Sequence, residues 1–160
     1  MNPINQQEEL EYKEMEGYLM IQQLSIFVQN EVGSVAKVTA ILKSNNINLR
    51  AIASFDTPEF AILRIVVDQP ERAKAVLTEG GFAVTVSEAI AVELEDKPGV
   101  LHDLLQVIAD AGFGVNYIYS IVIRSGKVPL IILNTDNLEG SKSVLKEKGY
   151  SVAEQEDVVL

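Results

Sequence analysis

From Leu24 onward the apolar positions follow two periods in turn. Leu24, Ile26 and Val28 alternate, as in a strand with one buried face. After a turn at Gly33, Val35, Val38, Ile41 and Leu42 fall on one side of a helix that Asn45-Asn46 ends. Leu49 to Phe55 reads as a second strand, Asp56-Thr57-Pro58-Glu59 as a turn, and Ala61 to Val67 as a third strand, apolar except for Arg64. Pro70 suits a first helical position, with Asp68 or Gln69 as cap. Ala73, Val76 and Leu77 give that helix its apolar side, Gly80-Gly81 stops it, and Phe82 to Val86 is a fourth strand. The order is βαββαβ.

The order then begins again almost without a linker. Ile90, Val92 and Leu94 alternate, and Gly99 makes the turn. A helix follows with Leu101, Leu104, Leu105 and Ile108 inward and Gly112 at its end. Val115 to Ile123 is the next strand, Ser125-Gly126-Lys127 a hairpin turn and Pro129 to Leu133 a further strand. Asp136 or Asn137 caps a helix carrying Val144 and Leu145, Gly149 ends it, and Tyr150 to Val152 closes the unit. Gly33 and Gly99 lie 66 residues apart, as do Ile52 and Ile118, and Ser54 and Ser120; Gly81 and Gly149 lie 68 apart. Two extra residues therefore belong to the second hairpin, and the chain is a duplication of a unit of about 70 residues.

Each unit predicts a four-stranded antiparallel sheet with both helices on one face, so the fold class is α+β with two ferredoxin-like βαββαβ units in tandem. In that topology the second strand of each unit is an edge, and an unpaired edge is a liability. The expectation is that the units join side by side, sharing a continuous sheet through Leu49–Phe55 and Val115–Ile123. The predicted boundaries are an acidic extension over 1–19, a first unit over 20–88 and a second over 89–160.

Charge narrows the function. The net charge is −10 and the 13 Lys and Arg are scattered, which argues against nucleic acid and anionic membranes as partners. No run of about 18 apolar residues exists to cross a membrane, and no secretory signal is expected. The cytoplasm is the expected compartment. Cysteine is absent, so thiol catalysis and thiolate metal sites are excluded. Residues before Leu19 carry Glu8, Glu9, Glu11, Glu14 and Glu16 against Lys13. Met15-Glu16-Gly17 fits a purine-rich ribosome-binding sequence in the gene, which predicts Met20 as the natural start.

Both units turn from strand to helix through glycine, at Asn30-Glu31-Val32-Gly33-Ser34-Val35 and at Asp96-Lys97-Pro98-Gly99-Val100-Leu101. Such a turn gathers unpaired N–H groups and the positive end of a helix dipole, which attract a carboxylate or phosphate. Strand, Asn-x-x-Gly, helix and then Ile-Asn-Leu opening the next strand resembles the ACT domain, and Pro98-Gly99-Val100-Leu101 matches its "PGVL" turn. The resemblance covers nearly everything from Met20 onward as two tandem copies with no catalytic domain. It implies a non-catalytic, regulatory protein that binds an amino acid.

The same resemblance implies the ligand residues. In serine-sensing ACT domains an Asn before the glycine turn and an Asn opening the second strand of the neighbouring copy bind ligand; Asn30 and Asn48 match them. The second copy departs, with Asp96 and Gly114 there. The family's ligand-binding His falls on Val28 and Leu94 and is missing from both copies. One implied site combines Asn30, Val32, Gly33, Ser34 and Val35 with Val115 and Asn116. The other combines Asp96, Pro98, Gly99, Val100 and Leu101 with Asn48 and Leu49. Asp96 there would hold an ammonium and the turn N–H groups a carboxylate. Asn30 and Asp96 also serve as turn residues and helix caps.

Other residues read differently. His102, the single histidine, is a poor basis for a metal, and is expected as an exposed polar residue. Tyr117 and Tyr119 alternate on one strand face and are expected at a packing surface. Arg64 and Arg124 read as surface ion-pair residues, and Glu154, Glu156 and Asp157 as a solvated tail. No cofactor is expected, and no nucleophile or phosphate-loop motif supports an enzyme. Phe27 with the tyrosines predicts surplus apolar surface and hence a homodimer or larger. A second reading is an adaptor with degenerate sites that docks a metabolic enzyme.

Overall fold

The computed structural model describes residues 20–121 and 128–159. The first unit runs β1 (Ile21–Gln29), α1 (Ser34–Ser44), β2 (Leu49–Asp56), β3 (Phe60–Val67) and α2 (Pro70–Glu79). Then come β4 (Ala83–Glu93), α3 (Val100–Asp110), β5 (Val115–Ser120), β6 (Leu130–Thr135), α4 (Leu138–Glu147), β7 (Val152–Ala153) and a short α5 (Gln155–Val159). The order is the twice-repeated βαββαβ, and the fold class is α+β. The predicted hairpin turn Ser125-Gly126-Lys127, Arg124 and the extension 1–19 lie outside the described residues.

The two units do share one antiparallel sheet, but the strands expected to join them are not the ones that do. The strand order is β2-β3-β1-β4-β6-β5, with β7 also on β4. Strands β2 and β5 therefore stand at opposite ends and do not pair. The junction is β4 itself. Residues 83–89 pair with β1, and Ile90 to Glu93 pair with β6. The reason is local. Ser87-Glu88-Ala89 contains no glycine or proline to turn the chain, and the alternation keeps its phase through it. Val84 and Val86 pack under the helices of the first unit, Ile90 and Val92 under those of the second. The last strand of one unit runs straight on as the first strand of the next.

Three core clusters result. Leu24, Ile26, Leu63 and Ile65 pack against Val38 and Leu42 of α1 and Ala73 and Leu77 of α2. Ile90, Val92 and Leu133 pack against Leu104 and Ile108 of α3 and Leu145 of α4. The third cluster lies on the helix-free face: Ile21, Ala51, Val66, Ala89, Ala91, Ile132, Ala153 and Val158, with Tyr119 and Ile121 against it. Residues of β1, β2 and β3 thus meet residues of β5 and β6. The sheet curls over its helix-free face, and this closure replaces edge pairing.

Three further expectations change. Val35 and Leu101, read as core, are 41% and 42% exposed, each in the first turn of its helix. Glu154, Glu156 and Asp157 are exposed as expected, but they lie at the start of a packed helix and not in a tail. Val158 on α5 is buried in the helix-free core, and the Gln155 Oε1 accepts the Gln22 backbone N–H at 2.7 Å. Of the proposed caps, Asn137 caps α4 by accepting the Gly140 N–H at 2.9 Å, whereas neither Asp68 nor Gln69 caps α2 with its side chain.

Candidate functional site

Each glycine turn is built the same way. Gly33 and Gly99 occupy the N-cap positions of α1 and α3 at φ 87° and φ 92°. A residue with a Cβ is strained there. Helical bonding starts at Lys37 N–H to Gly33 O and at Asp103 N–H to Gly99 O, both 3.0 Å. Ser34 N–H turns back to Glu31 O at 3.2 Å and Val100 N–H to Lys97 O at 3.4 Å. That leaves the N–H groups of Val35 and Ala36, and of Leu101 and His102, with no backbone acceptor among the described residues. These are the donors that a helix start offers to an anion. No side chain caps either turn.

The side chains of the two turns differ. Asn30 donates from Nδ2 to the Thr57 carbonyl at 3.2 Å, tying its turn to the β2–β3 hairpin rather than capping α1. Asp96 is exposed and caps nothing. Beside it, Glu95 and Lys97 form an ion pair; the hydrogen bond from Lys97, and then its charge, holds the Glu95 carboxyl below its ordinary range. Val32 is fully exposed, and Leu101 lies open at the second turn. Ser34 is buried, Pro98 is exposed, and Val100 is half-buried against the second core. His102 is exposed, as expected.

The starts of the second strands are held alike. Asp68 Oδ1 accepts the Asn48 N–H at 2.9 Å, and Asp136 Oδ1 accepts the Gly114 N–H at 3.0 Å. The Asn48 side chain stays exposed, Leu49 leans on the first core, and Val115 is 39% exposed. Asn116 donates to Asn134 Oδ1 at 2.8 Å, and Asn134 donates to the Glu88 carbonyl at 3.1 Å. Because β2 and β5 lie at opposite ends of the strand order, their pairing does not assemble the two composite sites within one chain.

Sequence reasoning missed the polar contact between the units. Gln23, fully buried on β1, donates to Tyr117 Oη at 2.9 Å and accepts from Tyr119 Oη at 2.6 Å. The rings of Tyr117 and Tyr119 stack with centroids 6.3 Å apart. Burial pushes the Tyr119 hydroxyl well above its ordinary range; Tyr117 adds to this and Arg64 opposes it. Arg64 is no surface ion-pair residue: its guanidinium lies 4.1 Å from the Tyr117 ring and 4.8 Å from Phe55. The signal was present in the sequence. Arg64 is the one charge in an apolar strand, and Gln23 shares the strand face of Ser25 and Phe27. The tyrosines pack as expected.

Among the described residues no group of His, Cys, Asp or Glu is placed to hold a metal ion, and no helix is long and apolar enough to cross a membrane. A comparison with curated proteins finds no match. Solved structures do match. Protein BT0572 from Bacteroides thetaiotaomicron is 30% identical, covers 89% of this chain and 97% of its own, and superposes with a TM-score of 0.82. The ligand-free regulatory subunit of aspartate kinase from Thermus thermophilus is 18% identical over 81% of this chain and 92% of its own, with a TM-score of 0.59. The corresponding subunit from Thermus flavus gives 17%, 81%, 92% and 0.54; at these identities the likeness is one of fold. Residues 19–160 match the family described as the ACT domain pair, and the chain belongs to that family.

Proposed function

We propose that this protein is a non-catalytic regulator that binds a small amino acid at its glycine turns. The observation that carries the reading is the matched pair of left-handed glycines, each opening a helix whose first N–H groups have no backbone acceptor among the described residues. These donors suit the ligand carboxylate, and Asp96 suits its ammonium. The family supports a regulatory role, and two of the structural neighbours carry the name of regulatory subunits of an amino-acid kinase.

Because β2 and β5 do not pair within the chain, each site is completed by a second copy. The turn of one chain faces a second-strand start, Asn48-Leu49 or Val115-Asn116, of the other. The exposed apolar side chains Val32, Val35, Leu101 and Val115 at these places support such a covering surface. Ligand would then shift an assembly equilibrium by its differential affinity for the two states.

A thermal-shift screen of the twenty amino acids tests the reading. Ligand at 100 times its dissociation constant adds about 2.7 kcal/mol of stability. Asp96→Ala should lower affinity by roughly ten- to a hundredfold, the worth of a charge-assisted hydrogen bond, with the fold intact. No shift with any amino acid would favour the adaptor reading, in which the turns bind nothing and the exposed surface docks a metabolic enzyme.

A further inference from the structure

The register sorts the helix-free face of the first unit into rows, because directly opposed residues of antiparallel strands share a face. One row runs Phe55, Ile62, Phe27, Ala83 across β2, β3, β1 and β4. The next runs Ala53, Arg64, Ser25, Thr85. Phe60, opposite Gln29, lies beyond the first row. Among the described residues, the second unit reaches this face at Arg64, where its Tyr117 sits. The outer row stays open: Phe27 and Phe55 are each 44% exposed and Phe60 41%. The Phe27 and Phe60 rings lie 6.4 Å apart.

Arg64 stands at the border between covered and open rows. Rings from both units touch its guanidinium, Phe55 from the first and Tyr117 from the second. Its Nε is buried without an acceptor, and it has no carboxylate partner among the described residues. This holds in a chain with 23 Asp and Glu. Ring contacts attract the cation but accept none of its N–H hydrogens in the guanidinium plane. A guanidinium set against aromatic faces, with no carboxylate partner among the described residues and an apolar row beside it, matches a carboxylate that carries an apolar body.

We propose that this border is a binding site for a small apolar carboxylate. Arg64 holds the carboxylate, and Phe27, Phe55 and Phe60 hold the apolar body. The site lies on the helix-free face and does not rest on ligand binding at the glycine turns. Since Arg64 and Phe55 belong to one unit and Tyr117 to the other, occupancy bears on how the units pack.

The test uses 3-phenylpropionate and its neutral amide, titrated into the full chain and followed by calorimetry and NMR. The acid is expected to bind at least tenfold tighter than the amide. Arg64→Gln should remove that difference, a loss of roughly ten- to a hundredfold for the acid. Phe27→Ser should weaken both probes together, and unchanged affinities would remove the apolar half of the site. Equal binding of acid and amide by the parent protein, or binding of neither, overturns the proposal without any variant. Sedimentation supplies a further arm: if Arg64→Gln dissociates an oligomer of the parent, Arg64 serves a carboxylate of a second copy and the small-ligand site is wrong. Asp96→Ala should leave 3-phenylpropionate binding unchanged, so failure of the turn sites and failure of this site are distinguishable.

Discussion

Asp68 holds the backbone N–H of Asn48 on its Oδ1 at 2.9 Å, fixing the point where β2 begins. Asp136 does the same for Gly114 at the start of β5, so the duplication preserved a contact as well as a pattern. Each carboxylate positions the backbone at or beside a proposed ligand residue. Asp68→Ala should therefore cost about 1 kcal/mol in urea unfolding, the worth of an exposed hydrogen bond. Asp136→Ala should cost a similar amount. The two sites share no partner, so the double variant should show the sum within about 0.5 kcal/mol. A double variant no weaker than either single one would show that the two contacts are not independent.

The glycine turns allow strain to be separated from steric blocking. A Cβ built on Gly33 or Gly99 would meet nothing within 4 Å, yet both residues sit at positive φ. Gly99→Ala should therefore cost about 1–2 kcal/mol from backbone conformation alone. The larger Gly99→Val should add loss of amino-acid binding, because its side chain occupies the space in front of the free N–H groups. Thermal unfolding and calorimetry on the same samples give both numbers. Full binding by Gly99→Val would move the ligand away from the turn.

The sequence made the units legible because two periods, the glycine turns and the offsets of 66 and 68 all agree. It did not show how the units join. Reading Phe82–Val86 and Ile90–Leu94 as separate strands placed a break at Ser87-Glu88-Ala89, although nothing there turns a chain. Once β4 is continuous, the sheet must curl to bury its second face, and Gln23, Arg64, Tyr117 and Tyr119 meet there. Their roles depend on that long-range closure, which local periodicity does not carry. The glycine turns and the helices they open were local and could be read directly. Which strands stand beside one another was not local. The expected edge pairing does not form within one chain.

The Tyr119 hydroxyl supplies a pH dependence with a definite sign. Its folded-state value is raised by burial, while in the unfolded chain it titrates near 10. Below that pH both states hold the proton and the contribution is complete. Above it the unfolded chain releases the proton first, so stability falls as pH rises. Tyr119→Phe should lose about 1–2 kcal/mol at neutral pH, because the Gln23 Oε1 loses its donor. It should also flatten the fall in stability above about pH 10. Urea midpoints at pH 7, 9 and 10.5 measure both effects, and parallel curves for parent and variant would contradict the assignment.

The short α5 carries a packing prediction. Val158 is 4% exposed in the helix-free core, where strands of both units contribute. Val158→Ala removes two buried carbons and should cost about 2 kcal/mol, combining transfer and cavity terms. Glu156→Ala, on the acidic and exposed part of the same helix, should change stability by less than about 0.5 kcal/mol. Equal, small effects would mean that α5 does not contribute to the closure.

The last prediction concerns assembly. Strand β2 pairs only with β3, and β5 only with β6, so each keeps one edge without a partner strand among the described residues. An edge of this kind is a template for another chain, and natural proteins deter pairing there with charge. Ile52 on β2 is 37% exposed and Val115 on β5 is 39% exposed, so each edge strand presents an apolar side chain. Sedimentation at tens of micromolar should give the parent a dimer mass or larger. Ile52→Lys should reduce that mass to a single chain if β2 is the pairing edge, and Val115→Lys should do so if β5 is. The variant that dissociates should also lose amino-acid binding, since a turn in one chain would no longer meet a strand start in the other. A parent protein that sediments as one chain, yet still binds an amino acid, would place the site within a single copy and end the shared-site account.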